Sequence, residues 1–285
     1  MIDAFQRDRN RKRDDTRSRW YSGTNGTPNH KFVNLLKDKY ALLLFDLCPR
    51  IDLSLACNFV STNMIEKFDS VQRVSFIKGI CQGKKVLHLG CTNYPYTSEA
   101  IENDMLLHFE LGKIASELYG FDFDRAGLDI IKQSGATNVF EADLEHLENV
   151  ELQETFDVII GGEIIEHLSN PGLFLNGIKR FMKDDTLLVI TTINAYCAMR
   201  FLIYGLRGRR GANEPVHPDH VSYYSFRTLK LILERHGLDV REFHFYDLGN
   251  EHRPFNRWYY NALNDICVRL SPQLSDGVIA VASLN

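Results

Sequence analysis

The chain has 285 residues, a net charge of −4 and an isoelectric point near 6.2. Apolar residues make up 44% and charged residues 25%, a balance that excludes an intrinsically disordered chain. The acidic balance disfavours a nucleic-acid-binding protein, and the longest apolar runs fall far short of the roughly 20 residues that a membrane span needs.

Residues 1–30 mix charged, small and polar residues, which predicts a mobile charged arm. Its closely spaced arginines (Arg7, Arg9, Arg11 and Arg13) are offset by aspartates, so we interpret it as a solvated tail. The segment 1–20 has no apolar stretch of the secretory-signal kind. Six cysteines are scattered without a C-x-x-C pair, so we expect no disulfide framework and a cytoplasmic location.

Between residues 31 and 83 the apolar residues recur at helical spacing, as at Phe32, Leu35 and Leu36 and again at Ile65 and Phe68. This spacing predicts a helical cap that precedes the main domain.

From residue 84 onward, short apolar runs alternate with helical segments, a pattern typical of a parallel sheet covered by helices on both faces. The predicted strands are Lys84–Cys91, Leu118–Phe123, Asn138–Ala142, Phe156–Gly161 and Leu187–Ile193. The predicted helices between them are Ser98–Leu118, Arg125–Ser134 and Pro171–Met182, the last with Asn170 as its N-cap.

After Ile193 the alternation breaks, and residues 194–224 are predicted to form a lid insertion with one short helix. A helix from Ser225 to His236 and a strand over Leu238–Tyr246 follow, with Gly237 placed to end the helix. A final strand over Gly277–Ser283 is predicted to add an antiparallel edge. The predicted fold class is therefore α/β: a doubly wound, mostly parallel, seven-stranded Rossmann-like sheet over residues 84–285.

The chemistry is expected where the parallel strands end, because ligands of such sheets bind outside the carboxyl ends of the strands. Gly90 and Cys91 follow the first strand, and Asp122 and Asp124 follow the second. Asp143 follows the third strand and suits an exocyclic amine. The fourth strand is followed by the run Gly161-Gly-Glu-Ile-Ile-Glu-His167. Together these endings predict a nucleoside ligand with a charged tail.

Four ordered motifs resemble those of class I S-adenosylmethionine-dependent methyltransferases. They are Val86–Cys91, Gly120–Asp124, Ala142–Leu144 and Phe156–Leu168. The segment His217–Leu229 resembles the return segment of the branch that contains ubiquinone-type O-methyltransferases.

The resemblance implies S-adenosylmethionine as cofactor. By position, the implied cofactor-binding residues are His88, Gly90, Cys91, Asp122, Phe123, Asp143, Leu144 and Gly162. Gly90 and Cys91 would meet the methionine part, and Asp122 would bind the ribose hydroxyls. Phe123 would lie beside the adenine, and Asp143 and Leu144 would contact it. The chain departs from the family pattern where His88 replaces an acidic residue and where Gly90-Cys-Thr replaces a G-x-G sequence.

A hydroxyl acceptor must lose its proton during methyl transfer, and the histidines near the predicted cleft, including His167 and His220, are candidates for this role. We assign His220 as the first candidate for the general base. The alternative, that His220 pins its loop to the core by a hydrogen bond, stays open.

Glu163, Glu166 and His167 would share one face of a helical turn and, with His220, would form a divalent-metal site. That set resembles the metal site of the small-RNA 3′-end 2′-O-methyltransferases and of some ubiquinone-pathway enzymes. The same Glu-x-x-Glu-His pattern also occurs in class I methyltransferases without metal, so both interpretations stay open.

The sequence therefore predicts an O-methyltransferase acting on a small molecule, sugar or glycan precursor. A metal-dependent RNA 2′-O-methyltransferase and a nucleoside-binding module without turnover are the alternatives. A nicotinamide-dependent oxidoreductase is disfavoured because no G-x-G-x-x-G follows the first strand. Tyr196–Arg210 and Trp258–Tyr260 are candidates for contacts with the acceptor. The sequence does not indicate an oligomeric state.

Overall fold

The computed structural model describes residues 70–202, 219–247, 249, 253 and 256–285. The predicted arm, the cap before residue 70 and the middle of the predicted lid lie outside these residues. The strands are β1 Ser70–Val71, β2 Lys85–Leu89, β3 Glu117–Asp122, β4 Val139–Glu141, β5 Phe156–Gly162, β6 Met182–Ile193, β7 Leu238–Tyr246 and β8 Gly277–Leu284. The helices are α1 Arg73–Cys81, α2 Thr97–Glu102, α3 Leu107–Gly112, α4 Arg125–Gln133, α5 Pro171–Gly177, α6 Ala198–Arg200, α7 Phe226–Arg235 and α8 Trp258–Leu270.

The eight strands form one sheet in the order β1-β7-β8-β6-β5-β2-β3-β4. The pairs β1–β7, β6–β5, β5–β2, β2–β3 and β3–β4 are parallel, and β8 is antiparallel to both of its neighbours. The predicted Rossmann-like, mostly parallel sheet is confirmed. The predicted strand count was one too low, because the two-residue β1 has no periodicity to detect. The final strand was also misplaced, since β8 lies between β6 and β7 and not at an edge.

Local sequence signals set several of the boundaries. Asn170 caps α5 and Pro171 occupies its first turn, as predicted. Ser225 caps α7 through a reciprocal hydrogen-bond pair with Thr228. Gly237 adopts a φ of +71°, a conformation that glycine tolerates, and reverses the chain into β7.

The helix predicted over Ser98–Leu118 is two short helices, α2 and α3. They are separated by a turn in which Asp104 has a φ of +53°, which no continuous α-helix can contain. The helix predicted over Pro171–Met182 ends its α-helical part at Gly177 and continues as a 3₁₀ turn, Ile178–Phe181.

Apolar side chains bury both faces of the sheet. Phe121, Phe156 and Phe181 belong to the cluster that also includes residues of α5 and α7. Ile77 of α1 and Leu111 of α3 pack in the cluster on the opposite face. Since the strands are covered on both sides, their polar side chains concentrate at the ends, and the carboxyl end of the sheet carries the candidate site. Within the described residues, none of the helices is both long enough and apolar enough to cross a membrane.

Candidate active site

The ends of β2, β3 and β5 lie side by side at the carboxyl end of the sheet. Leu89 is in register with Gly161 of β5 and with Phe121 of β3. Gly90 directly follows β2, and Asp122 and Gly162 are the last residues of β3 and β5. Because paired strands are about 4.8 Å apart, these three residues lie close together. The structure thus brings together three of the residues that the sequence assigned to a ligand site.

The turn after β2 needs glycine at position 90. Gly90 has a φ of +68°, and a Cβ atom there would lie 2.4 Å from Cδ1 of Ile164. The backbone N–H groups of Gly90 and Cys91 both donate to the carbonyl oxygen of Phe121, at 2.8 and 3.3 Å. Both N–H groups are therefore satisfied within the chain, and cofactor binding by Gly90 and Cys91 stays a prediction.

Asp122 organises the same turn. Its Oδ2 accepts hydrogen bonds from the backbone N–H and the hydroxyl of Thr92, at 2.9 and 2.8 Å, and its Oδ1 accepts from the N–H of Asp124. The Asp122 side chain is only 6% exposed. A carboxylate offers about four acceptor positions, so the observed bonds leave room for one further donor. Ribose binding by Asp122 stays a prediction.

The residues assigned to the adenine follow β3 and β4, the two strands beyond β2. Phe123 is 71% exposed, and its ring centroid is 6.3 Å from that of Tyr94. Asp143 is exposed and accepts a hydrogen bond from the N–H of Glu145, while Leu144 is buried. An exposed aromatic side chain and an exposed carboxylate suit a planar base with an exocyclic amine.

His88 is buried and faces a second histidine. Its Nδ1 lies 3.3 Å from Nδ1 of His108 on α3, and the two rings are nearly parallel. Burial is the main reason that the pKa of His88 lies well below its usual value, and the charges of His108 and Arg73 lower it further. Burial lowers the pKa of His108 to about 4. Both rings are therefore neutral near pH 7, and His108 is a packed core residue.

Glu166, His167 and His220 form what we call the glutamate–histidine cluster. One ligand-type atom from each residue lies within 4.8 Å of those of the other two. The backbone carbonyl of Glu166 accepts from the N–H groups of Val221 and Ser222, which fixes the segment carrying His220. The structure therefore brings together three of the four predicted metal ligands, including both histidines proposed for proton transfer.

Glu166 carries one carboxylate oxygen with a partner and one without. Oε2 accepts from the hydroxyl of Thr192 at 2.8 Å, whereas Oε1 is buried and has no hydrogen-bond partner among the described residues. Burial, and then the charge of Glu163, raises the pKa of Glu166 to about 8. A buried carboxylate oxygen beside two imidazoles is a donor set that suits a divalent cation or a shared proton.

Glu163, the fourth predicted ligand, has different hydrogen-bond partners, although its charge acts on Glu166. Its Oε1 accepts from the hydroxyls of Tyr246, at 2.6 Å, and Thr191, at 3.1 Å. Thr191 and Thr192 are consecutive in β6, so their side chains point to opposite faces of the sheet. The Glu163 and Glu166 carboxylates thus accept from hydroxyls that project from opposite faces of β6. Three of the four predicted metal ligands therefore lie within 4.8 Å of one another, and Glu163 as a metal ligand stays a prediction.

The different partners of the two glutamates have a local cause. Residues 163–168 do not form a helix, and Glu163 has a φ of +55°. The spacing of three between the two glutamates therefore does not place them on a common face, as it would in a helix.

Arg73, at the first position of α1, is a site residue that sequence reasoning missed. Its guanidinium carbon is 5.8 Å from the ring centroid of Tyr246, and its Nη1 is 3.7 Å from the position that a Cβ on Gly162 would occupy. It places a positive charge over the ends of β5 and β7. The only signal in the sequence was an arginine that begins the last helix before β2.

An apolar cavity of about 540 Å³ opens just beyond β6. Its walls include Tyr196 and Phe201, both predicted to contact the acceptor. Ala195, another wall residue, follows Thr192 by three residues in the chain, and the hydroxyl of Thr192 donates to Glu166. Trp258 is exposed on α8 and is not among the residues that line this cavity.

Comparison with known proteins gives a consistent result. A family described as methyltransferase domain matches residues 64–242. The ubiquinone biosynthesis O-methyltransferase of Bartonella tribocorum is 25% identical over 177 residues, which cover 60% of this chain and 65% of that protein. The protein of the same description from Bradyrhizobium diazoefficiens is 24% identical over 174 residues, 55% of this chain and 62% of that protein. The matched regions span less than two thirds of these relatives.

Two solved structures illustrate the structural likeness. A SAM-dependent methyltransferase from Archaeoglobus fulgidus is 19% identical, with a TM-score of 0.49, over 74% of this chain and 91% of that chain. Magnesium protoporphyrin IX methyltransferase from Synechocystis, solved with bound SAH, is 12% identical, with a TM-score of 0.47, over 75% of this chain and 82% of that chain.

Proposed function

The chain belongs to the methyltransferase domain family, of the class I S-adenosylmethionine-dependent kind, and from this premise we propose that it methylates a hydroxyl group. The acceptor class we propose is a small molecule, sugar or glycan precursor. The observation that carries the proposal is the juxtaposition, at one end of the sheet, of the nucleoside-type strand ends and the glutamate–histidine cluster. The O-methyltransferase relatives support oxygen as the acceptor atom.

Bound S-adenosylmethionine supplies a methyl group that its sulfonium centre already activates. The protein then has to align the acceptor with that methyl group. In well-oriented systems, alignment alone lowers the activation free energy by about 7 kcal/mol or more. We assign Asp122 to the ribose, and Phe123 and Asp143 with Leu144 to the adenine. Arg73 provides the cation for the carboxylate of the methionine part, since the N–H groups of Gly90 and Cys91 are used within the chain.

The cluster is assigned to the acceptor hydroxyl. In the absence of a metal, His220 or His167 would take the proton. The carboxyl group of Glu166 beside them, whose pKa is about 8, would lose its own proton more readily as the imidazolium forms, because a nearby positive charge favours the carboxylate. A histidine base is suited to this task because its usual pKa lies near neutral pH.

The same three residues fit a divalent cation, because a buried carboxylate oxygen without a partner among the described residues lies beside two imidazoles. A cation held there would lower the pKa of the acceptor hydroxyl. This fit is also what favours the alternative function, a metal-dependent RNA 2′-O-methyltransferase. The net charge of −4 disfavours an RNA substrate, and RNA binding would show itself as a steep loss of affinity with salt.

The test separates cofactor binding from turnover. We expect S-adenosylhomocysteine to bind the wild-type protein in a calorimeter and to bind Asp122→Ala more than tenfold more weakly, because a charge-assisted hydrogen bond contributes about 1.5–3 kcal/mol. Asp143→Asn provides a matched change at the adenine end. Absence of any binding to the wild type would refute the proposal, and binding without methyl transfer to any hydroxyl acceptor would favour the binding-module alternative.

A further inference from the structure

We propose that one side of α8 binds the surface of an anionic lipid bilayer. Five large apolar side chains on this helix are between 39% and 79% exposed: Trp258, Tyr259, Leu263, Ile266 and Leu270. The last four recur at intervals of four, three and four residues, so they lie on one side of the helix, and Trp258 adjoins them in the first turn. We call these five residues the α8 face. Soluble proteins seldom expose such a stripe, and where they do it marks an interaction surface.

Basic residues lie at both ends of the α8 face. Arg257 directly precedes the helix and Arg269 lies in its last turn, and both are exposed. Asp265 is the only acidic residue in the sequence of α8, and Arg253 neutralises it through a contact of 2.7 Å. The whole chain has a net charge of −4, so this basic and apolar surface does not follow from the overall composition. An anionic bilayer attracts each exposed arginine, which raises the affinity by about fivefold per residue.

The residue types of the α8 face suit the boundary between lipid head groups and acyl chains. Tryptophan and tyrosine rings favour the level of the head groups, and leucine and isoleucine side chains enter the acyl boundary below it. Trp258 is 79% exposed, more than any other large apolar side chain among the described residues. A helix that lies in the bilayer surface needs this arrangement: apolar and aromatic residues on one side, with arginines beside them.

A second copy of this chain is the other partner that an apolar helix surface suggests. In a symmetric pair, antiparallel α8 helices would bring Arg257 of one copy toward Arg269 of the other. Parallel helices would bring each arginine toward its own counterpart. In both arrangements like charges meet, and the carboxylate of Asp265 is already paired with Arg253. Charge therefore favours an anionic surface over a second copy.

The apolar cavity beyond β6 continues the same surface. Leu270 ends α8, and the next residue, Ser271, already belongs to the wall of the cavity. Tyr196 and Phe201, on the same wall, are 61% and 76% exposed. Apolar surface therefore extends from the α8 face to the cavity. One consequence rests on the proposed function: an amphiphilic acceptor held in the bilayer would reach the cavity without crossing water.

The experiment measures binding of the full chain to lipid vesicles by flotation. One set of vesicles is phosphatidylcholine alone, and the other also contains phosphatidylglycerol. We expect the wild type to bind the anionic vesicles at least fivefold more tightly than the neutral ones. Ile266→Glu should weaken binding to anionic vesicles at least tenfold, because it removes a buried apolar side chain and adds a charge that the lipids repel. Leu231→Glu is the matched control, since Leu231 is a 42% exposed leucine on α7, and this variant should bind like the wild type.

Two further measurements do not depend on the glutamate variants. Arg269→Gln should weaken binding to anionic vesicles by about fivefold and leave binding to neutral vesicles unchanged. The chain has two tryptophans, Trp20 and Trp258, so the fluorescence of Trp20→Phe reports on Trp258 alone. Its emission should shift to shorter wavelength when anionic vesicles are added, because the ring leaves water.

Every other outcome overturns the inference. If the wild type does not bind anionic vesicles, or if Leu231→Glu loses as much binding as Ile266→Glu, the α8 face is not a bilayer-binding surface. If sedimentation shows a dimer that Ile266→Glu dissociates, and vesicles are not bound, the partner is a second copy. If the emission of Trp258 is already at short wavelength and vesicles leave it unchanged, another part of this chain covers the α8 face. Binding of S-adenosylhomocysteine by the same samples tests the proposed function separately, so the two can fail independently.

Discussion

The buried pair His88–His108 predicts how the stability of this protein depends on pH. His108 has a pKa of about 4 in the folded chain, against about 6.5 for an exposed histidine. Between these values the unfolded chain binds a proton that the folded chain does not. The contribution of His108 is therefore fully present above about pH 6.5 and is lost as the pH falls toward 4.

The size of this effect follows from the shift. The difference between a pKa of about 6.5 and one of about 4 lowers the free energy of unfolding by about 3 kcal/mol once the pH is below both values, and by about 2 kcal/mol at pH 5. Burial shifts the pKa of His88 in the same direction, so the pair should lose at least this much. Glu166 acts in the opposite direction: its pKa is raised to about 8, so it favours folding more strongly as the pH falls from 8 toward 4.5.

A comparison with His108→Gln isolates the histidine. We expect this variant to be less stable than the wild type at pH 7.5, because Gln packs less well in the buried site. Glu166 contributes equally to the stability of both proteins. The difference between their free energies of unfolding should therefore narrow by about 2 kcal/mol at pH 5. Urea unfolding followed by circular dichroism at both pH values gives the two differences. A gap that is the same at pH 7.5 and pH 5 would refute the reasoning.

Three further predictions concern other parts of the structure. Gly277→Ala should destabilise the protein by about 2 kcal/mol or more, since the new methyl group would overlap the ring of Tyr246; thermal unfolding checks this, and an unchanged melting temperature would contradict the packing. Arg73→Ala should weaken S-adenosylhomocysteine by at least tenfold in calorimetry and spare 5′-methylthioadenosine, which lacks the amino-acid end, whereas equal losses for both would place Arg73 outside the amino-acid subsite. Glu166→Ala should abolish Mn²⁺ binding, followed by titration calorimetry, with unchanged affinity for S-adenosylhomocysteine; retained Mn²⁺ binding would remove the cluster as the metal site.

Much of the sheet was predictable because buried parallel strands read as short apolar runs. β2, β3, β5 and β7 begin and end within one residue or two of their predicted bounds. The place of β8 was not predictable, because an apolar run shows that a strand is buried but not which strands it pairs with. The break between α2 and α3 depends on the single φ angle of Asp104, which residue spacing does not reveal.

The candidate site was predictable to a similar extent. Glu166, His167 and His220 were identified from residue type and spacing, and the structure brings them together. Glu163 was grouped with them on the assumption of a helical turn, which its φ of +55° rules out. Arg73 was missed because a lone arginine in the first turn of a helix has no motif around it. Only the packing of α1 beside β5 shows that its charge reaches the cleft.

The position of β8 has a consequence for how the molecule assembles. β6 and β7 both pair with β8 and not with each other, yet both precede it in the chain. During synthesis on the ribosome, β6 and β7 are therefore made before β8. The edge of each strand that pairs with β8 stays unpaired until that segment has been synthesised. The ring of Tyr246 packs against Gly277, so it reaches its final packing only after residue 277 has been synthesised. The hydrogen bond from the Tyr246 hydroxyl to Glu163 is therefore completed late in biosynthesis.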